Sequence, residues 1–221
     1  VEAGAARDEP VQDAAVPIRP VHHRRDREAP GVRCGRRHGA ARDCRGNAGP
    51  TAEETALAAS PPSIAQRLQA AGIVLPKPLQ TPPGARLPFE LVRLVGTRAV
   101  CSGHGPLDAE GRICGPFGKV GAEVTEEQGY AAARLTALGM FASLERALGS
   151  LDRIAGWTRV FGMVASAPGF GRQPAVINGF SDCVLEVFGP RVGAHARSAV
   201  GLSELPWNIP VEVEAEVEVR P

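Results

Sequence analysis

The sequence predicts an α/β fold of the α+β kind, a two-layer sandwich in which a mixed β-sheet carries two helices on one face in the order β-β-α-β-α-β-β. Three observations predict it. Two stretches with apolar residues at three- and four-residue steps lie between segments rich in Val, Ile, Phe and Trp. Val211-Glu212-Val213-Glu214-Ala215-Glu216-Val217-Glu218-Val219 alternates without error, as a strand with one covered face does. A strand-helix-strand unit takes a right-handed crossover, which puts both helices on the same side of the sheet and leaves the other side for water or a partner subunit.

The elements follow in order. Residues 1–60 hold no aromatic residue and only one Leu, Leu57, so they lack the apolar surface that would offset an ordering cost of ~1–2 kcal/mol per residue. They read as a disordered Ala/Gly/Pro/Arg-rich tail, or as a start-site artefact of GC-rich codons. Residues 61–87 read as a Pro-punctuated linker with a short helix, Ser63 to Ala71. The compact domain is expected over 88–221. Phe89 to Val95, the Gly96-Thr97 turn and Arg98 to Ser102 predict a hairpin, and a Pro106 to Pro116 loop follows. Thr125-Glu126-Glu127-Gln128 fits a capping box, so a helix starts there; its apolar stripe runs to Leu148 and Gly149 stops it. Ile154 to Ser166 is strand-like. Val176, Ile177, Phe180, Val184, Leu185 and Phe188 trace a second helix ending at Gly189, and Ala196 to Leu202 and Val211 to Val219 are the last strands.

Composition narrows the function. Twenty-five basic side chains against 24 acidic ones give a formal charge of +1, which argues against a dedicated nucleic-acid or membrane-surface binder. No apolar run approaches the ~18 residues that span a bilayer and no apolar stretch opens the sequence, so a cytoplasmic protein is expected. Five scattered cysteines imply neither a disulfide framework nor a zinc ribbon; Cys34, His38 and Cys44 lack the paired spacing of a zinc motif, and no metal is expected. Cys101 and Cys183 sit in apolar contexts that suit core thiols. The nine arginines from Arg19 to Arg45 read as a solvated arm, with weak nucleic-acid contact as the alternative.

Several segments from Pro88 to Val219 match one family in the right order. Phe89-Glu90-Leu91 through Ala99-Val100-Cys101-Ser102-Gly103 resembles its opening hairpin. Leu148-Gly149-Ser150-Leu151-Asp152 is similar to its helix-to-strand connection and Val176-Ile177-Asn178 to its second helix. Ala196-Arg197-Ser198, then Leu205-Pro206 and Val211-Glu212-Val213-Glu214-Ala215, is the strongest piece. By these residues the chain resembles the RidA/YjgF family, also labelled endoribonuclease L-PSP, of the chorismate-mutase-like fold. The resemblance implies a homotrimer with a central barrel and ligand clefts between subunits. It also implies cofactor-independent hydrolysis of enamine/imine intermediates to 2-oxo acids and ammonia, with a small carboxylate-bearing metabolite as partner. A non-catalytic carboxylate-binding trimer is the alternative, and an endoribonuclease a weaker one.

The resemblance assigns Arg197 to the substrate carboxylate, a role its planar fork suits, and Glu212 to water positioning or proton relay. It places Phe89, Ser102, Gly103 and Asn178 around the cleft. Phe89 stands where many active members carry Tyr, and Ala199 where many carry Cys. His104 follows Ser-Gly where Gln is common. As a residue between two glycines it reads either as a loop histidine or as a general base titrating near neutrality. Lys119, in Phe117-Gly118-Lys119-Val120-Gly121, lies in a remodelled loop expected near the cleft and lacks a phosphate-loop pattern. Arg197 has a second reading from residue type alone, a structural ion pair with Glu212.

Overall fold

Residues 61–221, except Pro82, are described by a computed structural model of the chain. Helix α1 (Ile64–Ala70) is followed by strands β1 (Val92–Val95) and β2 (Arg98–His104), helix α2 (Glu126–Leu148), strand β3 (Ile154–Ala165), helix α3 (Gln173–Val192), and strands β4 (Ala196–Leu202) and β5 (Val211–Val219). Tight 3-10 turns at Leu151–Arg153 and Pro206–Asn208 enter β3 and β5.

The sheet order is β1-β2-β5-β3-β4. β5 lies antiparallel between β2 and β3, and β4 runs parallel to β3, so the sheet is mixed. The alternation in β5 sorts its residues as expected. Val211, Val213, Ala215, Val217 and Val219 are buried beneath the helices, while the glutamates face the open side, partly or fully exposed. Val100 and Leu202 stay 40% and 38% exposed, both on strands beside that open face.

Both long helices begin and end for local reasons. Thr125 Oγ1 accepts from Gln128 N–H at 3.2 Å and Gln128 Oε1 accepts from Thr125 N–H at 2.9 Å, closing the predicted capping box. Gly149, at φ 78°, ends α2 in the left-handed conformation. The second helix starts three residues before the first apolar position of its stripe. Gln173 and Pro174 belong to it because Pro, lacking an N–H, costs nothing in a first turn. It breaks at Gly189, as expected, and one more turn follows Pro190. The two helices press together where Gly179 has no side chain. A Cβ there would lie 2.9 Å from the carbonyl carbon of Tyr130 and closer still to its oxygen.

Between helices and sheet, Phe141, Trp157, Phe180 and Phe188 pack edge to face at 5.2 to 5.9 Å. Each such pair is worth ~0.5–1.5 kcal/mol beyond its buried area.

Three expectations are corrected. β1 starts at Val92 rather than Phe89, and β2 continues past Ser102 to His104 across an irregularity between Cys101 and His104. The segment 61–87 carries its helix but is not a free linker. Ile64 and Leu68 join the main core, Ile64 N–H donates to Asp152 Oδ1 at 2.9 Å, and Gln80 N–H donates to the Gly111 carbonyl at 2.8 Å. The tail 1–60, with its basic arm and Cys34, His38 and Cys44, lies outside the described residues.

Candidate functional site

The end of β2 and the start of β5 meet at the rim of a cavity of about 290 Å³. Gly103, at the irregularity of β2, has no Cβ, and the Glu212 carboxylate of β5 occupies the space where one would be. Glu212 is half-buried. Burial pushes its pKa above the usual carboxylate value, and Glu214 two residues on pushes it the same way. The rest of the wall is almost wholly apolar: Leu79 and Leu87 from the segment before the hairpin, Leu107 and Ile113 from the following loop, and Ile209 before β5. Phe89 and Trp207 line the same cavity and remain 53% and 45% exposed. One carboxylate that holds a proton more tightly than usual, set against an apolar wall, is suited to proton transfer with a small organic ligand.

His104 is corrected in two respects. It ends a strand instead of sitting in a loop, and only 6% of it is exposed. Its Nδ1 lies 2.7 Å from the Ser102 carbonyl oxygen, and its buried Nε2 has no partner among the described residues. Burial is the main reason that its pKa is pushed down to about 4, with the Arg146 guanidinium adding to the effect. It therefore does not titrate near neutrality. It lines the cavity beside Ser143 of α2.

Arg197 and Asn178 form a second group. Arg197 Nη1 donates to Asn178 Oδ1 at 2.9 Å and to Ser181 Oγ at 3.0 Å, and Nη2 donates to the Pro174 carbonyl at 3.3 Å. Ser181 is held from the other side by His195 Nε2 at 2.9 Å. The guanidinium is thus braced along α3, and the predicted alternative of an ion pair with Glu212 is not formed. Arg197 sits on the edge strand β4, opposite Val160 of β3, whereas Glu212 sits opposite Met163. Since Val160 faces the helices and the β5 glutamates face the open side, the two side chains leave opposite faces of the sheet. One chain by itself does not bring Arg197 and Glu212 together.

The remaining expected residues are placed as follows. Ser102 lies outside the cavity, in a shallower depression with Phe89 and Glu90, and its Oγ donates to the Glu90 carbonyl at 2.8 Å. Lys119 does not line the cavity; its Nζ stands 4.0 Å from the exposed Glu204. Cys101 and Cys183 are buried, and burial pushes their thiols up to about 12 and about 11, which keeps them protonated. Among the described residues no three His, Cys, Asp or Glu side chains gather as a metal site, and no helix is long and apolar enough to cross a membrane.

Sequence reasoning missed Trp207. Both Trp207 (φ 55°) and Asn208 (φ 58°) are left-handed. Asn tolerates this locally and Trp does not, so the strain is stored at the cavity edge. An exposed-type Leu-Pro-Trp-Asn turn was the available signal. Leu79 and Leu87 were missed because they belong to the segment read as linker.

Relatives agree with this architecture. A family model described as "YjgF/chorismate mutase-like, putative endoribonuclease" matches residues 65–214. Protein TCP17 of Trypanosoma cruzi is 46% identical over 103 residues, and the match spans 47% of this chain and 64% of that protein, less than two thirds of its length. The crystal structure of Atu1372 from Agrobacterium tumefaciens, a protein described as having unknown function, is 34% identical with a TM-score of 0.63 over 72% of this chain and 93% of its own. That of a "putative endoribonuclease" from Shewanella oneidensis MR-1 is 32% identical with a TM-score of 0.65 over 72% of this chain and all of the other. With the family model spanning more than half of its residues, the chain belongs to the YjgF/chorismate mutase-like family.

Proposed function

We propose that the protein hydrolyses reactive enamine/imine forms of 2-amino acids to 2-oxo acids and ammonia, at a site completed between copies of the chain. The observation that carries this reading is the half-buried Glu212, its pKa raised by burial, held against Gly103 at the rim of an apolar cavity. In the reaction a water oxygen adds to C2 of the imine. Glu212 takes one proton of that water and passes it to the nitrogen, giving the carbinolamine; it then takes the proton of the new hydroxyl and delivers it to the same nitrogen as the C–N bond breaks and the C2=O bond forms, so that the 2-oxo acid and ammonia leave. The substrate carboxylate goes to Arg197, whose fork is braced by Asn178 and Ser181. Because Arg197 and Glu212 leave opposite faces of one sheet, the arginine comes from a neighbouring copy, in keeping with the homotrimer the family resemblance implies.

The test is ammonia release when 2-aminoacrylate is generated in situ by a pyridoxal-phosphate enzyme. Arg197→Ala and Glu212→Gln chains should each be inactive, and subunits of the two refolded together should regain a fraction of the activity. No ammonia release by the wild type would sink the deaminase. That outcome would favour a carboxylate-binding protein without chemistry, a reading supported by Phe89, which puts a ring without a hydroxyl at the cavity. Ribonuclease action is disfavoured by charge: residues 61–221 carry fifteen Lys and Arg against fifteen Asp and Glu, so no net field draws a polyanion.

A further inference from the structure

We propose that His195 is a positioning residue for the ligand carboxylate: acting through the Ser181 hydroxyl, it fixes the plane of the Arg197 guanidinium, so that affinity for a 2-oxo or 2-imino acid depends on an imidazole that does not touch it. The proposal rests on the carboxylate role given to Arg197 in the hydrolysis reading above, and adds to it the device that orients the fork.

Two periodicities bring the groups together. Asn178 and Ser181 stand three residues apart on α3 and so share one face of that helix. His195 and Arg197 stand two apart, just before and within β4, so both side chains leave the same face of the sheet, towards α3. The four interleave. Arg197 Nη1 donates to Asn178 Oδ1 at 2.9 Å and to Ser181 Oγ at 3.0 Å; Ser181 Oγ lies 2.9 Å from His195 Nε2, and His195 Nδ1 lies 2.7 Å from the Gly193 carbonyl oxygen.

With a neutral imidazole, one direction of donation satisfies the whole chain. The Gly193 carbonyl only accepts, so the ring proton is on Nδ1 and Nε2 presents a lone pair. The guanidinium only donates, so Ser181 Oγ accepts from Arg197, and the hydroxyl hydrogen is left for His195 Nε2. His195 thereby holds the serine lone pairs towards Arg197. Without that acceptor the hydroxyl is free to bond the carbonyl one turn back along α3, as serines inside helices commonly do, and the brace on Arg197 loosens.

The guanidinium is pinned on one side and open on the other. Both hydrogens of Nη1 are used, whereas among the described residues Nε–H has no hydrogen-bond partner and no carboxylate lies within ion-pair distance. Burial lowers the Arg197 pKa from the ordinary arginine value, and Asp182 offsets part of the effect without pairing. A partly desolvated fork that lacks an anion is completed by a ligand carboxylate, and two parallel N–H···O bonds form only if its plane is fixed.

Calorimetric titration of the full chain with pyruvate and 2-oxobutyrate tests this. Ser181→Ala and His195→Leu should each weaken binding roughly three- to tenfold, and His195→Gln, whose amide oxygen can stand where Nε2 does, should bind within about twofold of the wild type. The Ser181→Ala/His195→Leu double variant should bind no worse than Ser181→Ala, because both changes act through one hydroxyl. Losses that multiply in the double variant, His195→Gln as weak as His195→Leu, or unchanged binding in His195→Leu overturn the proposal. If a variant does not fold, the wild type decides: ¹⁵N NMR should find the proton of the neutral His195 ring on Nδ1, and a proton on Nε2 reverses the chain and overturns it. Ammonia release from 2-aminoacrylate separates the two readings. The expected order of affinities without ammonia release upholds the positioning role and removes the deaminase. Ammonia release by a wild type whose binding is indifferent to His195 and Ser181 refutes the positioning role and leaves the deaminase standing. No binding of either acid by the wild type overturns it together with the carboxylate role of Arg197.

Discussion

Gly103 and Glu212 are complementary across the β2–β5 ladder: the carboxylate of one fills the volume that a side chain on the other would need. The strand can pass beside the acid only because it carries nothing there. Gly103→Ala should push the carboxylate aside. The obstacle is the far end of a flexible side chain, so unfolding free energy should change by no more than ~1 kcal/mol. A displacement near 1 Å should still cost on the order of 100-fold in ammonia release. Unchanged turnover beside an unchanged melting curve would show that Glu212 does not act from this position.

Arg197 has its fork braced by α3, and its role is expected at a ligand and not in stability. Arg197→Lys keeps charge and loses planarity, so 2-oxo acid binding should weaken almost as much as in Arg197→Ala, by ~1.5–3 kcal/mol. Melting temperatures of both should stay near the wild type. A large drop in melting temperature with unchanged binding would assign Arg197 to the fold.

His104 makes stability depend on acid. Its pKa is about 4 in the folded protein and returns to an ordinary value near 6.5 when the chain unfolds. Between these values the unfolded state binds a proton that the folded state refuses, so stability is full above about pH 6.5 and falls toward pH 4. The loss should be on the order of 3 kcal/mol. Urea midpoints measured across this window should slope less steeply for His104→Leu, and an identical slope would count against the buried neutral imidazole.

Gly179 is where the two long helices touch. Gly179→Ala drives a methyl into the Tyr130 backbone, which cannot turn aside as a side chain can. Overpacking of this kind should cost ~1–3 kcal/mol or more, read as a lowered urea midpoint, with the cavity on the other side of α2 unaffected. A neutral effect would mean the helices separate freely.

The parts of this architecture that were legible in the sequence are those set by local chemistry. The Val-Glu alternation of β5 and the Thr125 capping box each encode their structure within a few residues, and both are seen. What was hidden depends on distant partners. His104 reads as a loop residue because nothing near it in sequence shows that it will be buried. The segment 61–87 looks like a linker because its prolines are local, while the contacts that anchor it come from Asp152 and Gly111 far along the chain. Arg197 reads from the sequence as a candidate for a ligand carboxylate, and its separation from Glu212 follows from sheet register, which single-residue patterns do not carry.

The position of β5 has a bearing on how the chain reaches its native state. The central strand of the sheet is the final one in chain order: β1 and β2 pair with each other, β3 pairs with β4, and only β5 bridges the two pairs. Until Val211–Val219 has left the ribosome, a nascent chain holds two half-sheets with open inner edges and no floor beneath α2 and α3. Such edges are templates for pairing with another chain. Assembly of the sheet is therefore governed by contacts distant in sequence, which places this fold among slower folders and makes the interval before β5 docks the one in which a chaperone has most to protect.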